Sequence, residues 1–569
     1  MTELLSPIAL YAETHFRFGG WTPSALFRRE PEVVFDLPRR VGRGADLPVA
    51  LLVNDVHRYP VSIISVNIAI SRADDNNNSI DDNDGGAKPV LFEFDSGRLQ
   101  ESIINHPLKN QMQAYILTIP RAELPSEEIF VNACLRYQHI KNGVPQKKIN
   151  TVLNDNLATS TKFAFRCVIS DGDYPGSDWC DFGDVHCHSQ FSRSHVEWGP
   201  PLEVIGRMAG AGRLRFAAVT DHSYDLACDP DDYLRQDKEL RMWEMYKSSI
   251  NEMCSASGSH SDNYDDSTIL IPGEEISVLN SKGKVVHLCG LGISEYIPGS
   301  LDGARKNVHF KKQLTIGEAV DEIERQGGVS FAAHAGAGAG IFQGIFLRRG
   351  IWSGNDILCA GLGGIQAVNS DLFGSWTRGK KMWVSMLQKG RRVPLLAGSD
   401  AHGDFNRYRA IGVPFLQIYE TSERYMGFMR TGVYGKQKNA NGIIDGIRNA
   451  ATFITNGPFV TICDSRHPET SLAGSKTVTD TTNLSVRACS TKEFGTLNVV
   501  KIIMGRPGIA EEKVIVGQAL PPDTYEAAIP IPADELPESC YLRVEAYGKT
   551  PRGSMTTAAT SACFIETLS

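Results

Sequence analysis

The chain has 569 residues, 42% of them hydrophobic and 22% charged, with a formal net charge of −8. That length exceeds one core and predicts roughly two to four domains, while an acidic balance without a basic run argues against a nucleic-acid or anionic-membrane partner. No apolar stretch reaches bilayer-spanning length, the N-terminus lacks the basic and apolar parts of a secretory signal, and the 12 cysteines never form Cys-x-x-Cys, so free thiols in a reducing cytoplasm are expected.

Residues 1–178 read as mostly strand. Leu47-Pro-Val-Ala-Leu-Leu-Val53, the β-branched run Val61 to Ile70, Ile129 to Tyr137 and Thr161 to Ile169 are bounded by turn residues, with no helix pattern between them. A β-sandwich is expected. The acidic stretch Asp74 to Gly86 has no calcium-loop register and reads as a solvated hairpin tip.

From 179 to 456 strands alternate with helices. Strand candidates are 214–220, 268–271, 285–288, 328–333, 364–368 and 393–397. A helix is expected from Asp231 to about Cys254, because Leu234, Leu240, Trp243, Tyr246 and Ile250 recur at helical spacing. Thr315-Ile-Gly-Glu318 is a capping box, and Gly327-Gly328 ends the helix it opens. About seven strands in βα order suggest a barrel with parallel strands. From 457 to 569 helix signals stop, and Leu484 to Ala488, Leu497 to Ile503 and Cys540 to Ala546 predict a second, smaller sandwich.

Polar residues fall at the strand ends. In Asp184-Val-His-Cys-His188 the imidazoles of His186 and His188 lie two residues apart, so on an extended strand both aim at one point. Strand 214–220 runs into Asp221-His222, strand 268–271 into Glu274-Glu275, and strand 328–333 into His334. His287 lies on strand 285–288, and the strand ending at 397 is followed by Asp400-Ala-His402. The C-terminal edge of a barrel is where such enzymes build their active sites, and His, Asp and Glu gathered there predict a multinuclear metal site. Each residue alone could equally be a cap or a core histidine.

The ordered set His186-x-His188-Ser189, Thr220-Asp221-His222, Gly273-x-Glu275, His287, Ala333-His334 and Ser399-Asp400-Ala401-His402 resembles the polymerase and histidinol phosphatase superfamily over roughly residues 180–456. The β-rich flanks resemble its carbaryl-hydrolase-like branch. The resemblance implies a distorted (β/α)7 barrel holding two or three divalent ions, usually manganese, zinc or iron. It implies that His186, His188 and Asp400 hold the first ion, that Glu275 bridges to a second completed by His287 and His334, and that His222 and His402 serve a third. Glu275, Asp400 and His334 become the candidate catalytic residues. Asp221 is expected to orient a histidine from behind. Of Glu274 and Glu275 only one can face inward, and the motif selects Glu275.

Such ions lower the pKa of a bridging water and stabilise charge on substrate oxygens, which serves phosphoesters and carboxylic esters or carbamates alike. The expected partner is a small-molecule ester or phosphoester. Arg407 and Arg409 follow the last motif closely enough to reach a substrate anion, or else form surface ion pairs. Gly336-Ala-Gly-Ala-Gly340 lacks a P-loop ending and is expected to give the backbone room near the metals. Relatives place an Asp or His shortly after His-x-His, where this chain has Arg193 and Ser194. Either the third ion is absent or His195 supplies the nitrogen, with Glu197 further off; His195 is the favoured ligand. A barrel retained only as a binding or scaffold module is the rival of another class.

Overall fold

The computed structural model describes residues 30–72, 89–156, 164–193, 198–231, 235–258, 268–299, 313–337, 349–369, 374–407, 410–413, 416–419, 425–477 and 481–566. The architecture is mixed α/β, rich in strands and with few helices. The 74–86 stretch, Leu234, His195, Glu197 and Arg409 lie outside the described residues.

Toward the N-terminus a three-stranded antiparallel sheet, ordered Glu32–Asp36, Leu47–Asn54, Met112–Ile119, faces a six-stranded sheet centred on Val61–Arg72 and Glu128–Lys141. They share one apolar core that includes Phe35, Leu51, Val66, Leu117 and Val131. Glu128–Lys141 alternates buried and less buried positions, as one covered face requires. Leu47–Asn54 instead buries nearly every residue. Its Val49, Leu51 and Val53 join the sandwich core, whereas Ala50 and Leu52 join the core of the central region. A strand covered on both faces reads as a continuous apolar run.

The central strands are β1 (Cys180–Cys187), β2 (Phe216–Val219), β3 (Ile269–Leu279), β4 (Val285–Leu291), β5 (Val329–Ala332), β6 (Ile365–Val368) and β7 (Leu395–Ala397), hydrogen-bonded in chain order. Pairs β1–β2, β2–β3, β5–β6 and β6–β7 are parallel. Pairs β3–β4 and β4–β5 are antiparallel, which corrects the expectation of parallel strands throughout. The physical reason is the short link: a parallel return needs a crossover of a dozen or more residues, and β3 joins β4 by a tight turn in which the Asn280 side chain accepts from the Lys282 and Lys284 amides. Beyond β7 the chain returns to β1, where the Asp400 amide donates to the His186 carbonyl at 2.8 Å and the His188 amide to the Ala401 carbonyl at 2.9 Å. Asp184, fully buried, accepts from the Ser399 amide at 3.1 Å and ties the same two segments.

Two separate cores follow from the period of two along each strand. On β2, Phe216 and Ala218 join one cluster with Ile271, Cys289 and Phe331, while Ala217 and Val219 join the other with the helices. Helix α1 (Leu202–Ala211) follows β1. Helix α2 starts at Arg241 and runs to Gly258, later than the Asp231 start expected from periodicity. Leu240 adopts a left-handed φ of 54°, and the Asp237 carboxylate accepts from the Glu239 and Arg241 amides, so the chain turns and caps there instead. Helix α3 (Ile316–Arg325) carries the expected Thr315–Glu318 capping box. Helix α4 (Gly374–Gln388) precedes β7.

On its other side β1 pairs with Arg430–Tyr434, then Thr452–Thr455, then Met555–Thr560, so the central sheet continues without a break into the C-terminal strands. A four-stranded sheet containing Phe459–Asp464 and Leu484–Cys489 covers that extension over a core of Val460, Val486, Val500, Leu542 and Val544. None of the described helices is long and apolar enough to cross a membrane.

Candidate metal centre

Among the described residues, the rim where β1, β2, β3, β4 and β5 meet the 398–402 segment gathers six histidines and two carboxylates. His186 and His188 are fully buried, and Glu275, His287, His222 and His402 are nearly so. His186 Nε2 lies 3.4 Å from Glu275 Oε2 and 3.3 Å from Asp400 Oδ1. His188 Nε2 lies 3.3 and 3.2 Å from the same two oxygens. His222 Nδ1 is 3.0 Å from Glu275 Oε2, while His287 Nδ1 and His334 Nε2 are 2.5 and 3.0 Å from Glu275 Oε1. The His402 ring stacks on His188 at 3.9 Å between centroids. One carboxylate thus meets five imidazoles.

Local structure explains how these side chains converge. His287 comes from the start of β4, not its end, and the antiparallel register sets it opposite Ser277, which brings it to the same rim. Gly273 of the Gly-x-Glu motif lies where a Cβ would sit 2.7 Å from the Gly290 carbonyl, so a larger residue would part β3 from β4 beside Glu275. Tyr246, from α2, accepts from the Gly273 amide and donates to the Val219 carbonyl, clamping the two strand ends that lead to Glu275 and His222. Glu274 points away: its carboxylate accepts from the Ile297 amide, and burial pushes its pKa well up.

The histidine rings are oriented from behind. His186 Nδ1 is 2.8 Å from Gln366 Oε1, an acceptor only, so Nδ1 carries the proton and the Nε2 lone pair faces the carboxylates. Gln366 also accepts from the His334 amide at 3.1 Å. His188 Nδ1 meets the Ser192 hydroxyl at 3.0 Å. Among the described residues Asp221 makes no direct hydrogen bond to a histidine. Its carboxylate accepts from the Ser189 amide and hydroxyl at 2.7 and 2.5 Å and from the Ser192 hydroxyl, so it reaches His188 through Ser192. Gln366→Leu is expected to weaken metal binding about 10–100-fold without removing a ligand, measurable by competition against a fluorescent chelator.

Among the described residues, three sets have ligand atoms mutually within 4.8 Å: His186, His188, Glu275 and Asp400; His222, Glu275 and His287; and His188, His222 and His402. The first matches the implied first-ion set. The second places His222, not His334, with Glu275 and His287. His186 Nε2, His222 Nδ1 and Glu275 Oε2 are buried without a geometrically sound hydrogen bond among the described residues. Buried polar atoms are ordinarily satisfied, and nitrogen and carboxylate donors converging in this way fit divalent transition metals.

Electrostatics points the same way. Burial alone would raise the pKa of Glu275, but His287, His186 and His222 hold it well below the carboxylate range. Asp400 is likewise held low against burial by His186 and His188. Burial works against charging His188, yet its bonds to Asp400 and Glu275 push it up to about 9. The two carboxylates demand positive charge, which protons supply in a metal-free protein.

Asp400 and His334 form the accessible side, with side chains 19% and 14% exposed against 0–1% for Glu275, His186 and His188. Both have left-handed backbones, φ 57° and 31°. Such conformations cost about 1–3 kcal/mol each in residues with a side chain. His334→Gly should therefore be more stable than His334→Ala by about 1 kcal/mol, although both lack the imidazole; urea unfolding of the pair checks this.

Two arginines depart from expectation. Arg407 is buried, and it donates to the His402 and Gly403 carbonyls beside Asp36 and Asp404. It braces the loop that carries His402 and is not directed at a substrate anion. Arg349, which carries no ligand signature in the sequence, donates to His287 Nε2. Its backbone is fixed by pairing with the first residue of β4. The room made by Gly336 is taken by the Ser375 carbonyl of α4, 2.1 Å from where a Cβ would lie, rather than by a metal-site group.

No protein-family model and no curated protein sequence matches the chain. Among solved structures, a proposed metal-dependent phosphoesterase from Bifidobacterium adolescentis ATCC 15703 aligns with TM-score 0.26 and 15% identity, covering 39% of this chain and 88% of that one.

Proposed function

We propose that the chain is a metal-dependent hydrolase whose substrate is a small-molecule phosphoester. The observation that carries the reading is Glu275, buried and shared among five imidazoles, at the overlap of two ligand sets. His186, His188, Glu275 and Asp400 would hold one ion, and Glu275, His287 and His222 or His334 a second. His188, His222 and His402 could serve a third, with His195 as a further ligand. Divalent manganese, zinc or iron held there would supply acidification of water and stabilisation of negative charge on substrate oxygens. Within the protein, Gln366, Ser192 and Asp221 fix the imidazoles, Glu275 balances cationic charge, and Asp400 with His334 fronts the side from which a substrate enters.

We further read β1–β7 as the distorted seven-stranded barrel implied by the ordered motifs, occupying 179–456 between sandwich domains at 1–178 and 457–569. Those motifs, rather than the metal ligands, favour phosphoesters over carboxylic esters or carbamates. A retired scaffold is disfavoured because unpaired buried ligands destabilise a fold that makes no use of them.

The test is elemental analysis of the purified protein and of His195→Ala, with a panel of phosphomonoesters, phosphodiesters, carboxylic esters and carbamates assayed in Mn²⁺, Zn²⁺ and Fe²⁺. Phosphoester turnover inhibited competitively by inorganic phosphate supports the proposal. Carbamate turnover indifferent to millimolar phosphate moves the protein to the alternative class, and metal without turnover of any substrate moves it to the scaffold. A metal count unchanged in His195→Ala removes His195.

A further inference from the structure

Away from the histidines, a cavity of about 250 Å³ lies where the N-terminal sandwich, the central sheet and the C-terminal strands meet. Arg40 enters it from the first, Arg430 from the second, and Glu493 and Phe494 from the third. Both arginines are buried, 8% and 3% exposed. Their guanidinium carbons lie 4.4 and 4.0 Å from the centroid of the same ring, Tyr174, and 5.8 and 5.4 Å from that of Phe494.

Arginines outnumber acids in the lining, with Arg39, Arg40 and Arg430 against Glu128 and Glu493. Arg40 bonds to Glu493 through Nε and Nη2, at 2.6 and 3.1 Å, and its Nη1 meets no protein acceptor among the described residues. Arg430 donates from Nη1 to the Gly427 and Phe428 carbonyls, while its Nε and Nη2 are buried without an acceptor among the described residues. Glu128, the other acid lining the cavity, is paired with Arg166 and Arg552. Aromatic faces attract a guanidinium but supply no counter-charge, and a buried cation without a counter-ion is costly. Nε and Nη2 are the two parallel donors that bind a planar oxyanion side-on. Met208, Leu214, Phe405 and Phe428 line the rest of the cavity with apolar surface.

We propose that this cavity is a binding site for a small monoanion with a carboxylate head and an apolar body, its two oxygens held by Nε and Nη2 of Arg430 beside Nη1 of Arg40. The Arg430 guanidinium, with two donors lacking an acceptor among the described residues, matches one carboxylate, and the apolar lining suits the remainder of the ligand. Phe405 lies on the loop braced by Arg407, so an occupant packs behind the segment that carries His402.

The probe is benzoate, measured by equilibrium dialysis against the metal-loaded protein, with inorganic phosphate, acetate and chloride as competitors. One saturable equivalent per chain is expected, persisting after chelation of the metals and weakened at least about ten-fold in Arg430→Gln. Ser554 lies exposed at the cavity lining. Ser554→Trp should block entry with both arginines in place, and it carries the test alone if Arg430→Gln does not fold. Absence of saturable binding overturns the site, as does binding that is lost on chelation yet retained in Arg430→Gln. Phosphate displacing benzoate as well as acetate does overturns the carboxylate assignment.

Discussion

Replacing Glu275 by Gln is expected to remove bound metal and hydrolysis together, with activity falling by about three orders of magnitude, the scale of losing a preorganised electrostatic group at an active site. The change keeps the side chain's shape but deletes the charge that five imidazoles surround. It also turns one end of the carboxylate into an amide donor facing rings oriented to present lone pairs, as His186 is by Gln366. Glu274→Gln provides the contrast on the adjacent residue. Glu274 is fully buried, and burial pushes its pKa well up, which favours the protonated, uncharged form. A Gln there resembles the protonated acid in size and polarity, and metal content and kcat should stay within a few-fold of wild type. Elemental analysis and steady-state assays on the two variants decide the point. Retained metal in Glu275→Gln would falsify the bridging role.

The contrast also shows which parts of the site were legible in the sequence. Ligand residues at strand ends could be read because a strand's period of two sends His186 and His188 to one side and separates Glu275 from Glu274. The groups that aim the imidazoles could not. Gln366, Ser192 and Arg349 are common residue types with no spacing of their own, and they act only because β6, the segment after β1 and the start of β4 converge on the rim. Arg407 was misread for a related reason: its neighbours in sequence are metal ligands, but its partner Asp36 comes from the N-terminal sheet, far away in the chain. The β3–β4 hairpin was hidden by the expected strand bounds: 268–271 and 285–288 leave about a dozen residues, enough for a crossover, whereas β3 runs on to Leu279.

Metal binding should release protons, and its affinity should rise with pH. In the metal-free protein burial opposes the charging of His186, but Cys289, Glu275 and Asp400 outweigh it and hold its pKa well above the usual histidine value. His188 stands at about 9. At pH 7 His188 is therefore protonated and His186 is pushed the same way, so a cation binds as these imidazoles release protons. Glu275 and Asp400, held low, are already ionised and release none. Each proton lost corresponds to an apparent affinity rising about ten-fold per pH unit, and the His188 contribution fades as pH passes about 9. For folding without metal the sign is reversed. A histidine whose pKa is higher folded than unfolded stabilises fully below the unfolded value of about 6.5 and loses that contribution as pH rises through the folded value. The metal-free protein should thus become less stable from about pH 6.5 to 9, while the metal-loaded protein gains over the same interval. Calorimetric titration of Mn²⁺ or Zn²⁺ at pH 7 in buffers of different ionisation enthalpy counts the protons directly. A count of one or more is expected, and a count near zero would mean that the imidazoles are neutral before metal arrives and that the carboxylates do not hold their charge.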